Sequence, residues 1–165
     1  MKIIALGGGG VKRFAPLALC ILGAVLVSGC GPTITVKNRT RFPVTATVRN
    51  GERHETLSPS PGESSSMDAD TGPYFVYAVP EKDWLEYAKL TRKVLNESLA
   101  DPSRLTGPQI NDIVQRLKDI AERIQQYEGT AGGARTCQGT ISESGAGGTV
   151  EITVGADGGL VARCY

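Results

Sequence analysis

The fold is decided by the segment Val44–Gly51, which reads VTATVRNG. Its apolar residues occupy every second position, and a period of two is typical of a strand with one buried face. The segment ends in Asn50-Gly51, the dipeptide that accepts positive φ at both central positions of a tight hairpin turn. Residues 43–49 and 52–58 are therefore predicted to pair as antiparallel strands.

Further short strand patterns lie on both sides of this hairpin. A polar edge strand is predicted at 63–69, after a loop that contains two prolines. The next segment, Tyr74–Val79, is apolar or aromatic on both faces and predicts a central strand that ends at Pro80. The remaining strands are predicted around Ile34 and Val36 and, near the C terminus, at 136–142, 149–154 and 160–165.

Between these two groups of strands the period changes from two to about 3.6, which predicts helices. The residues expected on the apolar stripe of the first helix are Trp84, Leu85, Ala88, Val94, Leu95 and Leu99. Those expected on the second are Ile110, Ile113, Val114, Leu117, Ile120, Ile124 and Tyr127. A short linker between amphipathic helices predicts an antiparallel hairpin. The sequence leaves two arrangements of this hairpin open. It packs against its own sheet, or part of it projects and binds another protein.

The predicted fold class is therefore α+β. We expect an antiparallel β-sandwich of about seven short strands with an inserted two-helix hairpin at residues 81–128. Three C-terminal strands alone would be marginally stable, so the strands in 135–165 should join those in 34–80 in one sandwich. The order of the strands resembles small immunoglobulin-like or transthyretin-like modules, a likeness of pattern only.

The N-terminal segment resembles the signal peptide of bacterial lipoproteins. Its lipobox is Val27-Ser28-Gly29-Cys30, preceded by basic residues, an apolar run and no acidic residue. The resemblance implies that residues 1–29 are removed, that Cys30 carries a lipid such as palmitate, and that 30–33 form a short tether. Gly31 after the cysteine implies the outer membrane in a cell that has one, with the protein facing the periplasm or the exterior.

Removal of residues 1–29 changes the net charge of the chain and leaves fewer cysteines. The remaining chain has 15 basic and 17 acidic residues and a net charge of −2, which gives no indication of a nucleic-acid partner. Once Cys20 is removed and Cys30 is lipidated, Cys137 and Cys164 form one possible pair in an oxidising compartment. Their positions share the inward parity of their strands, which favours a disulfide within or across the sheets.

The sequence carries no complete catalytic or metal-binding motif. His54 is the single histidine, and glutamates at positions 52 and 55 flank it, which favours a surface position. Two segments match the N-glycosylation pattern, at Asn38 and Asn96, and both are interpreted as chance matches. We predict no enzyme activity, no metal and no cofactor.

The favoured hypothesis is a lipid-anchored envelope protein that acts as a non-enzymatic binding or assembly module. Its predicted partners are the membrane, through the N-terminal lipid, and another envelope protein. The candidate partner-binding face lies on the second helix at Arg116, Lys118 and Arg123, and Lys118 and Arg123 are expected on its solvated side. The alternative is a periplasmic inhibitor or protective lipoprotein that acts on a hydrolase.

Overall fold

The computed structural model describes residues 31–130 and 133–165, so the predicted signal peptide and the lipidation site at Cys30 lie outside it. The described residues form eight strands and two α helices. The strands are β1 (Thr33–Asn38), β2 (Val44–Asn50), β3 (Arg53–Leu57), β4 (Ser64–Asp68), β5 (Gly72–Pro80), β6 (Arg135–Ile141), β7 (Gly148–Val154) and β8 (Leu160–Cys164). The helices are α1 (Lys82–Leu99) and α2 (Gly107–Gly129).

The strands form two four-stranded sheets, in the orders β4-β1-β7-β8 and β3-β2-β5-β6. Neighbouring strands are antiparallel except β1 and β7, which are parallel. The predicted class, an α+β sandwich with an inserted helical hairpin, is confirmed, with eight strands in place of about seven. β4 lies at a sheet edge and β5 inside its sheet, as predicted.

The predicted hairpin is present, but its turn lies one residue later than predicted: Gly51 and Glu52 form it, and Asn50 is the last residue of β2. Asn50 pairs with Arg53 and Arg49 with His54, across a turn in which Gly51 has a φ of 61°. Glycine adopts this left-handed conformation without the steric cost that a side chain would bring. The turn at Gly51 therefore fixes the register in which β2 and β3 pair.

Each sheet combines strands from both ends of the chain. β7 lies between β1 and β8, and β6 lies beside β5, with Ala78 opposite Arg135. The helical hairpin therefore leaves and re-enters the sandwich between two hydrogen-bonded neighbours. Such a connection lets the helices extend from one end of the sandwich without interrupting either sheet.

The position of the Tyr74 ring in the core depends on two glycines. Tyr74 on β5 is almost fully buried, and its hydroxyl donates a hydrogen bond to the Tyr165 carbonyl oxygen at 3.2 Å. A Cβ added at Gly139 would lie 2.3 Å from this ring, and one at Gly148 2.9 Å. Glycine at both positions lets β6 and β7 approach the ring closely.

The disulfide joins the two sheets at their edges. Cys137 on β6 and Cys164 on β8 are bonded, with their Cα atoms 5.7 Å apart. Since β6 and β8 are the last strands of different sheets, the bond lies across the sheets, one of the two arrangements that the sequence left open. It closes one side of the sandwich covalently.

The two helices run antiparallel. Lys89, in the first half of α1, forms an ion pair of 2.8 Å with Glu128 at the end of α2. A capping box starts α2, since the backbone N–H of Thr106 donates to the Gln109 side chain at 2.8 Å. The predicted stripes are only partly buried.

Val94 and Val114 are the errors in those stripes, because each is about half exposed. A two-helix hairpin offers each helix a single neighbour along most of its length, so it covers a narrower stripe than a bundle does. The two valines lie outside the covered strip.

Candidate partner-binding site

The loop between β1 and β2 is built on Asn38, which is fully buried. Its Nδ2 donates to the carbonyl oxygens of Phe42 at 2.8 Å and Pro59 at 3.0 Å. Its Oδ1 accepts bonds from the backbone N–H and the hydroxyl of Thr40. The match to the glycosylation pattern at Asn38 therefore has a structural basis: Asn and Thr two residues apart close this loop, and the amide has no access to solvent.

The loop presents Arg41 to one side of α2. The guanidinium donates to Asp119 at 2.8 Å and Glu122 at 2.6 Å, and the Arg41 backbone N–H donates to the Gln126 side chain at 3.0 Å. In return, the Arg123 Nε donates to the Arg41 carbonyl oxygen at 2.7 Å. Four hydrogen bonds between residues 78 to 85 positions apart in sequence thus fix the end of α2 on the sandwich.

The next residue, Phe42, begins an aromatic cluster that we define as Phe42, Trp84 and Tyr127. The Phe42 ring centroid lies 5.2 Å from that of Tyr127 and 6.1 Å from that of Trp84, and the Trp84 and Tyr127 centroids are 5.4 Å apart. Phe42 also belongs to the core of the sandwich, with an exposed fraction of 0%. The cluster therefore joins the core to the base of the helical hairpin.

The ion pairs of Arg41 and the aromatic cluster contribute different free energies to the docking of the hairpin. Exposed ion pairs contribute only about 0–1 kcal/mol each, and the Arg41 side chain is 47% exposed. Aromatic pairs contribute about 0.5–1.5 kcal/mol beyond the surface that they bury. We infer that the aromatic cluster supplies most of the docking energy and that Arg41 fixes the orientation.

The electrostatics of the base agree with this arrangement. The hydrogen bond from Arg41 to Glu122, together with the charges of Glu122 and Asp119, raises the pKa of the Arg41 guanidinium. Burial, and to a lesser degree the charges of Asp83 and Glu81, raises the pKa of the Tyr127 hydroxyl. Both groups therefore keep one protonation state across the physiological range.

Beyond its base, α1 exposes an apolar stripe, which we define as Tyr87, Leu90 and Val94. Their exposed fractions are 67%, 60% and 53%. The spacing of three and four residues places them on one side of the helix. Apolar side chains aligned and exposed in this way are typical of a surface that packs against another helix.

A groove runs between the two helices next to this stripe. It encloses about 470 Å³. The hairpin groove, as we call it, is lined by Tyr87, Thr91 and Leu95 on α1 and by Gln115, Arg116, Asp119, Ile120 and Arg123 on α2. Its floor is apolar and one rim carries the Arg116 guanidinium, so it suits an amphipathic segment better than a small polar molecule.

The three residues predicted to form the partner-binding face do not share one surface. Arg116 lines the groove and forms a 3.8 Å ion pair with Asp112. Lys118 follows two residues later, about 200° around the helix, and is exposed on the other side of α2.

The solvated position predicted for Arg123 is wrong. Its side chain is only 30% exposed and lies 5.4 Å from the centre of the Trp84 ring. The hydrogen bond to the Arg41 carbonyl holds it there. A cationic side chain near a helix end can contact an aromatic ring of a neighbouring helix. Helical spacing alone does not reveal such a contact.

Sequence reasoning missed Arg41 and Phe42, the residues that hold the hairpin. One signal was present: Phe42 is a lone aromatic residue in a polar turn, and such a residue is seldom left in solvent without a contact. Phe42 contacts Trp84 and Tyr127, which lie on the two helices, so no pattern within a single strand or helix reveals these contacts.

His54 is exposed on β3, as predicted, and its pairing partner on β2 is Arg49. Within residues 31–130 and 133–165, no three His, Cys, Asp or Glu side chains lie close enough to hold a metal ion.

Comparisons with known proteins were made at three levels. No family model, curated protein or solved structure matches the chain. In the part of the chain that the structure describes, no helix is both long and apolar enough to cross a membrane.

Proposed function

We propose that this chain is a lipid-anchored cell-envelope protein and acts as a non-enzymatic binding and assembly module. The helical hairpin is the part that holds a protein partner. The observation that carries the proposal is the exposed stripe of Tyr87, Leu90 and Val94 beside the hairpin groove. Aligned apolar side chains that are exposed to water promote aggregation. Such a patch is typical of a site that binds another protein.

The position of β1 supports a short tether. The Pro32 carbonyl oxygen accepts a bond from the Ala69 backbone N–H at 2.8 Å, so the sandwich begins two residues after Cys30. An extended residue spans about 3.5 Å, so a lipid on Cys30 holds this end of the sandwich close to the membrane. The hairpin docks at the other end of β1, about 20 Å away along a six-residue strand.

The partner that fits the groove is an amphipathic helix. Two antiparallel helices leave a furrow that a third helix can fill by ridges-into-grooves packing. Tyr87, which belongs to both the stripe and the groove, would contact its apolar side together with Leu95, and Arg116 at the rim favours an acidic side chain on its polar side. Because the base of the hairpin is already fixed by Arg41 and the aromatic cluster, little conformational entropy is lost on binding.

The test is photocrosslinking in intact cells of the native host. A photoreactive residue replaces Val94, on the groove side, or Val114, which is equally apolar and 51% exposed but lies on the other side of the hairpin. We expect one dominant adduct from position 94, with the crosslink mapping to an amphipathic helix of an envelope protein. We expect no such adduct from position 114.

A matched pair of substitutions completes the test. Tyr87→Glu should lower the yield of the position-94 adduct about tenfold, the loss typical of an aromatic residue at the centre of an interface. Val114→Glu places the same charge on the opposite side and should leave the yield unchanged. Equal yields with both variants, or no adduct from position 94, would contradict the proposal.

A further inference from the structure

A second surface is formed by the outer face of the sheet β3-β2-β5-β6. Its centre carries two aromatic side chains, Phe75 and Tyr77 on β5, which are 47% and 46% exposed. They are two residues apart on one strand, so their rings lie on the same side about 7 Å from each other. The sequence predicted a central strand here, which β5 is, and within the described residues this side of it has no second layer.

The residues around the rings are polar. In the register of the sheet, Phe75 lies between Arg49 and Gln138, and Tyr77 lies between Thr47 and Thr136. His54 and Thr56 extend the same two rows on β3. The outward positions of these four strands hold no acidic residue: they are Thr45, Thr47, Arg49, His54, Thr56, Pro73, Phe75, Tyr77, Val79, Thr136, Gln138 and Thr140.

A shallow recess of about 350 Å³ adjoins the Phe75 ring, with Arg49 and Gln138 in its wall. The Arg49 Nε makes a long bond of 3.4 Å to the Gly51 carbonyl oxygen. Among the described residues no carboxylate forms an ion pair with Arg49. Its guanidinium thus has donors available to a ligand that lies on Phe75.

We propose that this face binds an extended polysaccharide chain of the cell envelope. Sugar rings present C–H groups on their flat sides, which pack on aromatic rings, and hydroxyls at their edges, which need donors and acceptors. Phe75 and Tyr77 supply the first, and the threonines, Gln138 and His54 supply the second. The available donors of Arg49 suit an acidic substituent on the chain.

The composition favours a polysaccharide over a protein partner. The centre of a protein interface is mostly apolar and excludes water, whereas here each ring is bordered by hydroxyl, amide or guanidinium groups. The flat, two-ring surface also differs from the hairpin groove, which is concave. The two surfaces share no residue. This inference uses the envelope location of the proposed function, but not its protein partner.

The test is co-sedimentation of the full-length protein, in detergent micelles, with purified peptidoglycan sacculi and with chitin. We expect binding to sacculi, and about a tenfold loss of affinity in Phe75→Ala and in Tyr77→Ala. Weaker binding to chitin would assign part of the affinity to acidic substituents, and Arg49→Gln should then abolish the difference. Equal binding to both would assign the affinity to the sugar rings themselves.

Two controls keep the test decisive. Tyr165→Ala removes an exposed ring, 63% exposed, that directly follows β8 of the other sheet and should leave binding unchanged. Phe75→Leu keeps an apolar side chain and should still lose affinity if ring stacking is the cause, while an unchanged melting temperature shows that each variant is folded.

The proposal is overturned if neither polymer binds, or if the ring variants bind sacculi as the original protein does. It is also overturned if Phe75→Ala changes the oligomeric state, because a second copy of the chain would then cover this face. Crosslinking from the hairpin groove is a separate measurement, so either proposal can fail alone.

Discussion

Phe42→Ala is expected to lower the free energy of unfolding by about 3–5 kcal/mol, the range for truncating a fully buried phenylalanine. Phe42 has an exposed fraction of 0% and packs in the core and against Trp84 and Tyr127. Its removal leaves a cavity where the sandwich meets the hairpin, and the docking of the hairpin should weaken most.

Trp84 provides the measurement, because it is the only tryptophan of the chain and lies in the aromatic cluster. Urea unfolding of the fragment 31–165 is followed by Trp84 fluorescence and by circular dichroism of the sheets. The two transitions should coincide in the original sequence. In Phe42→Ala the fluorescence transition should occur at lower urea, because the hairpin separates before the sheets unfold.

Phe75→Ala is the matched control, since it makes the same chemical change at a half-exposed site on the outer face. Its effect on stability should stay within about 0.5 kcal/mol, as is usual for surface substitutions. If Phe42→Ala costs less than about 1.5 kcal/mol, against the range for buried phenylalanines, Phe42 does not join the core to the hairpin as described.

Replacing both Cys137 and Cys164 by alanine has the second large effect. The bond closes a loop over a sequence separation of 27 residues, and the loop-entropy model gives a loss of about 3.5 kcal/mol. The structure adds a local reason, because the bond holds together the edge strands of two different sheets. Separation should therefore begin at β6 and β8, and hydrogen exchange should rise there first.

Reduction of the original protein supplies the control for this variant. A reducing agent should lower the melting temperature of the disulfide-bonded protein and leave that of the double alanine variant unchanged. A melting temperature that does not respond to reduction would show that the sandwich does not depend on the bond.

The strands could be predicted from the sequence because each carries its own local signal. The alternation in Val44–Arg49 and the turn signal at Asn50-Gly51 indicate β2 and β3 without reference to any distant residue, although the turn itself lies one residue later. The parallel pairing of β1 with β7 has no such signal, since Val36 and Val150 meet across more than a hundred residues. Both strands were predicted, but not which strand each would pair with.

The candidate site was less predictable for the same reason. Helical periodicity finds residues that can be buried, but a partner must be present to cover them. Val94 and Val114 fit the period and are exposed, because the hairpin has no third helix within the described residues. Arg41 and Phe42 fit no period, and only tertiary contacts over 42 to 85 residues show their role.

The lipid tether is the central claim of the account, and the mass of the mature protein tests it most directly. The protein is extracted from membranes of its native host, and its intact mass and N-terminal peptide are determined. We predict a chain that starts at Cys30 and carries the mass of a diacylglyceryl group, with or without a further acyl chain, and a Cys30→Ser variant that retains its signal peptide. A chain with an unmodified Cys30, or one that begins at another residue, would contradict the account.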